Sequence, residues 1–103
     1  MKLIAKIIDM IDDELDGAEE YAMFAHEQKT ARSRLADKMI ELAEVEMSHA
    51  KILHGEVVKL IEEVRQRDGE PPADMMTLYN YEHDKQIKRA ALIKQLIADY
   101  KND

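Results

Sequence analysis

Glu41-Leu-Ala-Glu-Val-Glu46-Met-Ser-His49-Ala-Lys-Ile-Leu-His54 has neither glycine nor proline and reads as one strongly helical run. Glu46 and His49 stand three residues apart, so they share a face of that helix. A carboxylate oxygen and a neutral imidazole nitrogen so placed can ligate one metal ion. With twelve Glu and four His in 103 residues, chance supplies about half a Glu-x-x-His match. The motif therefore takes its meaning from the chain around it.

Working outward, the second helix is expected over about residues 31–67, with Thr30 or Ser33 as N-cap, Gly69 as its stop and Pro71-Pro72 beyond. Its main apolar seam reads Leu35, Met39, Leu42, Glu46, His49, Leu53, Val57, Leu60, Val64. An adjacent stripe, Ala36, Ile40, Ala43, Met47, Ala50, Val58, Ile61, implies more than one packing partner. The first helix is expected over about residues 2–29, with the seam Ile4, Ile7, Ile11, Glu14, Ala18, Tyr21, Ala25. Glu14 lies inside that seam, where an unpaired carboxylate is costly to bury. Gly17 costs about 1 kcal/mol of helix propensity relative to alanine and leaves space one turn away. The connection between these helices is short, which favours an antiparallel hairpin. A third helix, over about residues 73–100, is patterned more loosely around Met76, Tyr79, Ile87, Ala90, Ile93, Ile97 and Tyr100, and packs on the second stripe or on another subunit.

Length and composition narrow the function. The 103 residues make one domain. Cysteine is absent, so disulfides and thiolate chemistry are excluded, and a cytoplasmic address is expected. The first residues meet Asp9, Asp12, Asp13 and Glu14 before any cleavage-like site, unlike a signal peptide, and no uncharged run is long enough to span a bilayer. A net charge of −7 argues against nucleic acid. It is compatible with attracting cations and with simply keeping a helical surface soluble. The acidic group Asp12, Asp13, Asp16, Glu19, Glu20 reads first as a solvated face. His26, His54 and His83 have no glutamate three residues before them and read as surface or interface residues. The seven methionines read mostly as core fillers.

At 1.5 Å per residue the first two helices would be about 40 and 50 Å long. A hairpin of two such helices buries one face of each and cannot enclose a core. The fold class expected is all-α: an antiparallel hairpin plus a C-terminal helix, completed to a four-helix bundle by dimerisation. Di-metal carboxylate bundles use a Glu from each of two helices and a Glu-x-x-His from each of the other two. One chain supplies half of that set, Glu14, Glu46 and His49, and a two-fold axis would supply the rest.

These residues resemble the ferritin-like superfamily, and within it the short encapsulated-ferritin type that builds a di-iron bundle from two chains. Asp13-Glu14-Leu-Asp-Gly-Ala-Glu-Glu-Tyr21 looks like the first helix of bacterioferritins and rubrerythrins, and Glu46-Met-Ser-His49-Ala50 like their second-helix Glu-x-x-His-Ala. The likeness covers about residues 3–65. It implies Glu14 and Glu46 as ligands, one of them bridging, His49 as a terminal ligand and Tyr21 as a neighbour of the ligands. It also implies two iron ions per dimer, with Mn or Zn as substitutes, and a ferroxidase that oxidises Fe(II) with dioxygen or peroxide for storage or handling. There is no second Glu-x-x-His, no cysteine pair for a rubredoxin-type iron, and no evident encapsulin-targeting tail in Ala98-Asp-Tyr-Lys-Asn-Asp103. A homodimer is the least assembly expected, with a ring or cage left open. Two rival readings are a structural or adaptor bundle with a vestigial or non-redox metal site, and a di-metal peroxide-consuming oxidoreductase.

Overall fold

The computed structural model describes residues 2–103, which form three helices: α1 (Lys2–Gln28), α2 (Ser33–Asp68) and α3 (Ala73–Asn102). There is no strand among the described residues, and no described helix is long and apolar enough to cross a membrane. The molecule measures 56 × 19 × 17 Å. The long dimension is set by the 36 residues of α2, which at 1.5 Å each rise about 54 Å.

Helix ends follow the expected punctuation at Gly69 but not at the start of α2. Gly69 takes φ 85° and donates its N–H to the Arg65 carbonyl, a left-handed exit that only glycine makes without strain. Pro72 then precedes α3 at φ −53° and ψ 141°, the extended conformation usual for the residue just before a helix. At the other end, neither Thr30 nor Ser33 caps α2. Arg32 donates its N–H back to the Gln28 carbonyl at 2.8 Å, so the turn closes by backbone bonding. Arg32 therefore holds the N-cap position, with no side-chain cap bond, and Ser33 is the first residue of the helix.

α1 and α2 run antiparallel and make the principal contact of the fold. Glu14 faces His49 and Gly17 faces Glu46, so a step of three along α1 is matched by three back along α2. Between them lie Ala18, Ala22 and Ala25 of α1 with Ala36, Ala43 and Ala50 of α2, five of these six fully shielded from solvent. Ile4, Ile11 and Leu15 extend this core to one side with Val57 and Ile61. In its first half the stripe of α2 that faces α1 is thus the alanine-rich one, and Leu35 and Leu42 of the expected main seam are exposed, whereas further along Val57 and Val64 of that seam are buried and Val58 of the other stripe is exposed. The phase of α1 is also rotated slightly: Leu15 and Ala22 enter the core, while Ile7, Glu14 and Tyr21 sit at its edge. Small side chains let the helix axes approach closely, and larger residues then fall outside the contact.

α3 packs chiefly on α1 and only sparsely on α2. Its expected apolar positions Ile93, Ile97 and Tyr100 are buried in the core, whereas Ile87 is exposed, and polar contacts add to this docking. Arg89 pairs with Asp16 at 2.6 Å and Glu19 at 3.5 Å. Buried Gln86 donates to the Ile8 carbonyl and to Asp12. Part of the acidic face of α1 is therefore an interface to α3 rather than a solvated face. His26 donates from Nε2 to the Leu96 carbonyl at 2.7 Å and meets the Tyr100 ring edge-to-face. Lys29 lies over the same ring, and its ammonium donates to the Tyr100 carbonyl. The buried Tyr100 hydroxyl donates to Asp37, tying the end of α3 to the start of α2.

Burial, followed by the bond to Asp37, pushes the Tyr100 phenol from its ordinary 10 up to about 12. A group raised on folding adds stability that is complete below its unfolded value and is lost as pH rises through its folded value. Unfolding free energy should accordingly fall between about pH 10 and 12. Tyr100→Phe should cost about 1 kcal/mol near neutrality, and its deficit relative to the wild type should shrink across that window. Urea titrations of both proteins over the alkaline range check this.

Candidate metal centre

α1 contributes Glu14 and α2 contributes Glu46 and His49 to one cluster, in which one ligand atom from each lies within 4.8 Å of the others. Helical spacing puts Glu46 and His49 on one side, and the hairpin register brings Glu14 across to them. His49 Nδ1 is 3.3 Å from Glu14 Oε2. Bonds of about 2.0–2.2 Å place two donors of a tetrahedral ion about 3.4 Å apart. The His49–Glu14 pair has that spacing.

Two further observations fit a cation. Hydrogen bonding with Glu14, then burial, then the charge of Glu14 raise the Glu46 carboxyl above its ordinary 4.5, with only the nearby His49 opposing them. Two carboxylates crowded so closely do not readily both ionise, and a bound cation relieves the conflict. Gly17 is the second observation. A Cβ built there would stand 3.2 Å from Glu46 Oε2. The missing side chain is the space that the Glu46 carboxylate uses.

The centre is open to one side. His49 and Glu14 side chains are 47% and 27% exposed. Tyr21 is half-buried against the core, and no hydrogen bond among the described residues joins it to the cluster.

Sequence reasoning missed a second arrangement on the opposite flank of α2. The rings of His54 and His83 stack with centroids 4.6 Å apart, and Tyr79 stacks on His83. Burial first, and the charge of His83 second, push the His54 imidazole below its usual value. His54 lies four residues from both Ala50 and Val58, in phase with the second stripe, which is the signal that would have placed it at an interface.

No family model, curated protein or solved structure matches this chain.

Gly17→Ala separates fold from site. Alanine favours the helix by up to about 1 kcal/mol, and its Cβ presses only on the far end of a flexible side chain. The variant without metal should be as stable as the wild type or more so, while its affinity for Mn(II) or Zn(II) should fall about tenfold as Glu46 is displaced. Chemical denaturation and metal titration measure the two quantities.

Proposed function

We propose that the chain is a ferroxidase-type protein that pairs through the open α1/α2 face with a second copy, closing a four-helix bundle around a two-iron Glu/His centre. One observation supports this reading: the Glu14/Glu46/His49 group lies beside exposed, heptad-spaced apolar residues on both helices. On α1, Leu3, Met10, Gly17 and Phe24 recur at intervals of seven; on α2, Leu35, Leu42 and His49 do the same. The large apolar members of both series are exposed, as expected for a seam whose partner is another chain.

A two-fold axis through this face would bring together four carboxylates and two imidazoles. Four carboxylates balance two divalent cations, which suits a dry bundle interior better than clustered like charge. Fe(II) enters as substrate. Glu14 and Glu46 would provide hard oxygen donors that favour the Fe(III) product, and His49 would add a nitrogen donor beside them. Two ions held together can each give up one electron, so dioxygen is reduced to peroxide, or peroxide to water, without a one-electron oxygen radical being released. The nearby apolar residues limit water around the pair.

Aerobic addition of Fe(II), followed by absorbance, tests the reading. Oxidation should saturate at two Fe(II) per dimer and outrun that in buffer. Glu46→Gln should slow it at least tenfold, the effect of about 1.4 kcal/mol at the rate-limiting barrier. Leu42→Glu should yield a monomer that has lost the activity. Oxidation no faster than in buffer would favour a structural bundle, and a fully active monomer would remove the shared centre.

A further inference from the structure

We propose that the groove between α2 and α3 binds a carboxylate-bearing amphiphile, an anion with an elongated apolar body. The groove is separate from the Glu14/Glu46/His49 centre and does not depend on it. Ile11 and Leu15 of α1 form its floor, with Met47 and Ala50 on one wall and Ile87 and Ala90 on the other. Its volume of 580 Å³ falls within the range of about 300–1,000 Å³ common for small-ligand sites. The groove exists because α2 and α3 barely touch, each leaning on α1 instead.

Its four basic or imidazole groups suit an anion; its other polar residues are Ser48, whose hydroxyl donates to the Val45 carbonyl, and Gln86, whose amide N–H donates to α1. Lys51, Lys94, His54 and His83 line the groove, and none of its lining residues is acidic. That is notable in a chain with 22 Asp and Glu against 15 Lys and Arg. Lys38, Lys59, Lys85 and Lys101 each pair with a glutamate; Lys51 and Lys94, like Lys2, Lys6 and Lys88 elsewhere, are in no ion pair among the described residues, and these two are the ones brought together at the groove. The His54 and His83 rings stack face to face, which leaves their edges, where the N–H donors lie, free of the stack. An apolar trough bounded by unpaired ammonium groups and imidazole donors matches an alkyl or aryl body ending in a carboxylate. A neutral apolar ligand would leave the lysines unused, and a cationic one would be repelled.

Calorimetric titration of the full chain with dodecanoate, below its micelle-forming concentration, tests this beside dodecan-1-ol and dodecyltrimethylammonium. The expected result is one dodecanoate per chain, weaker binding of the alcohol and least binding of the cation. Lys51→Gln and Lys94→Gln, both at exposed positions, should each weaken dodecanoate about fivefold, as expected for a partly exposed ion pair. Ala90→Trp should block the groove without changing the oligomeric state. Absence of saturable binding would overturn the proposal, as would equal affinity for the alcohol combined with indifference to both lysine substitutions. It would fall equally if Ala90→Trp broke an oligomer, which would make a second copy the occupant.

Discussion

The close contact of α1 with α2 governs the rest of the molecule. Alanines on both helices let the backbones approach, and Gly17 admits the Glu46 carboxylate where any side chain would crowd it. The same register that interleaves the alanines sets Glu14 against His49. Core and candidate centre are thus one interface read at two depths. The alanines fill its dry side, and the donors occupy the edge where it opens to solvent. A bulkier seam would hold the helices further apart and separate Glu14 from its two partners.

From this contact the division of faces follows. The alanine stripe consumes little of the circumference of either helix, so each has apolar residues left over. On one flank these are the heptad-spaced residues around the centre, and on the other they are the walls of the groove beneath α3. Beside the buried Ile93 and Ile97, polar groups position α3: Arg89 on two carboxylates, Gln86 on Asp12 and a carbonyl, and Tyr100 on Asp37. Such bonds fix position at modest net stabilisation, about 1 kcal/mol each. They leave room between α3 and α2 that a fully apolar seam would have closed.

The number of helices and their limits were legible because apolar residues recur at helical spacing and because Gly69 and the two prolines stop the chain plainly. The cluster itself was legible too: Glu46 and His49 lie three apart, and a short hairpin can bring only a limited part of α1 opposite them. The phase of the α1/α2 contact was harder to read. Leu35 and Leu42 look like core beside Ala36 and Ala43, yet the alanines are inside, since closeness of approach counts for more here than the hydrophobicity of single residues. The buried row Ile93, Ile97 and Tyr100 of α3 was legible, but its leaning on α1 rather than α2 was not, because Arg89, Gln86 and His26 carry no periodic apolar signal. The stack of His54 on His83 joins residues on different helices and required the fold.

The central claim is that Glu14, Glu46 and His49 are half of a centre completed by a second copy. Anomalous diffraction at the iron absorption edge, from crystals grown with Fe(II), tests it most directly. The account predicts two iron peaks close together on a two-fold axis between α1/α2 faces, each ligated by these side chains from both chains. Iron bound by one chain alone, or a dimer through this face with no metal between the carboxylates, would contradict it.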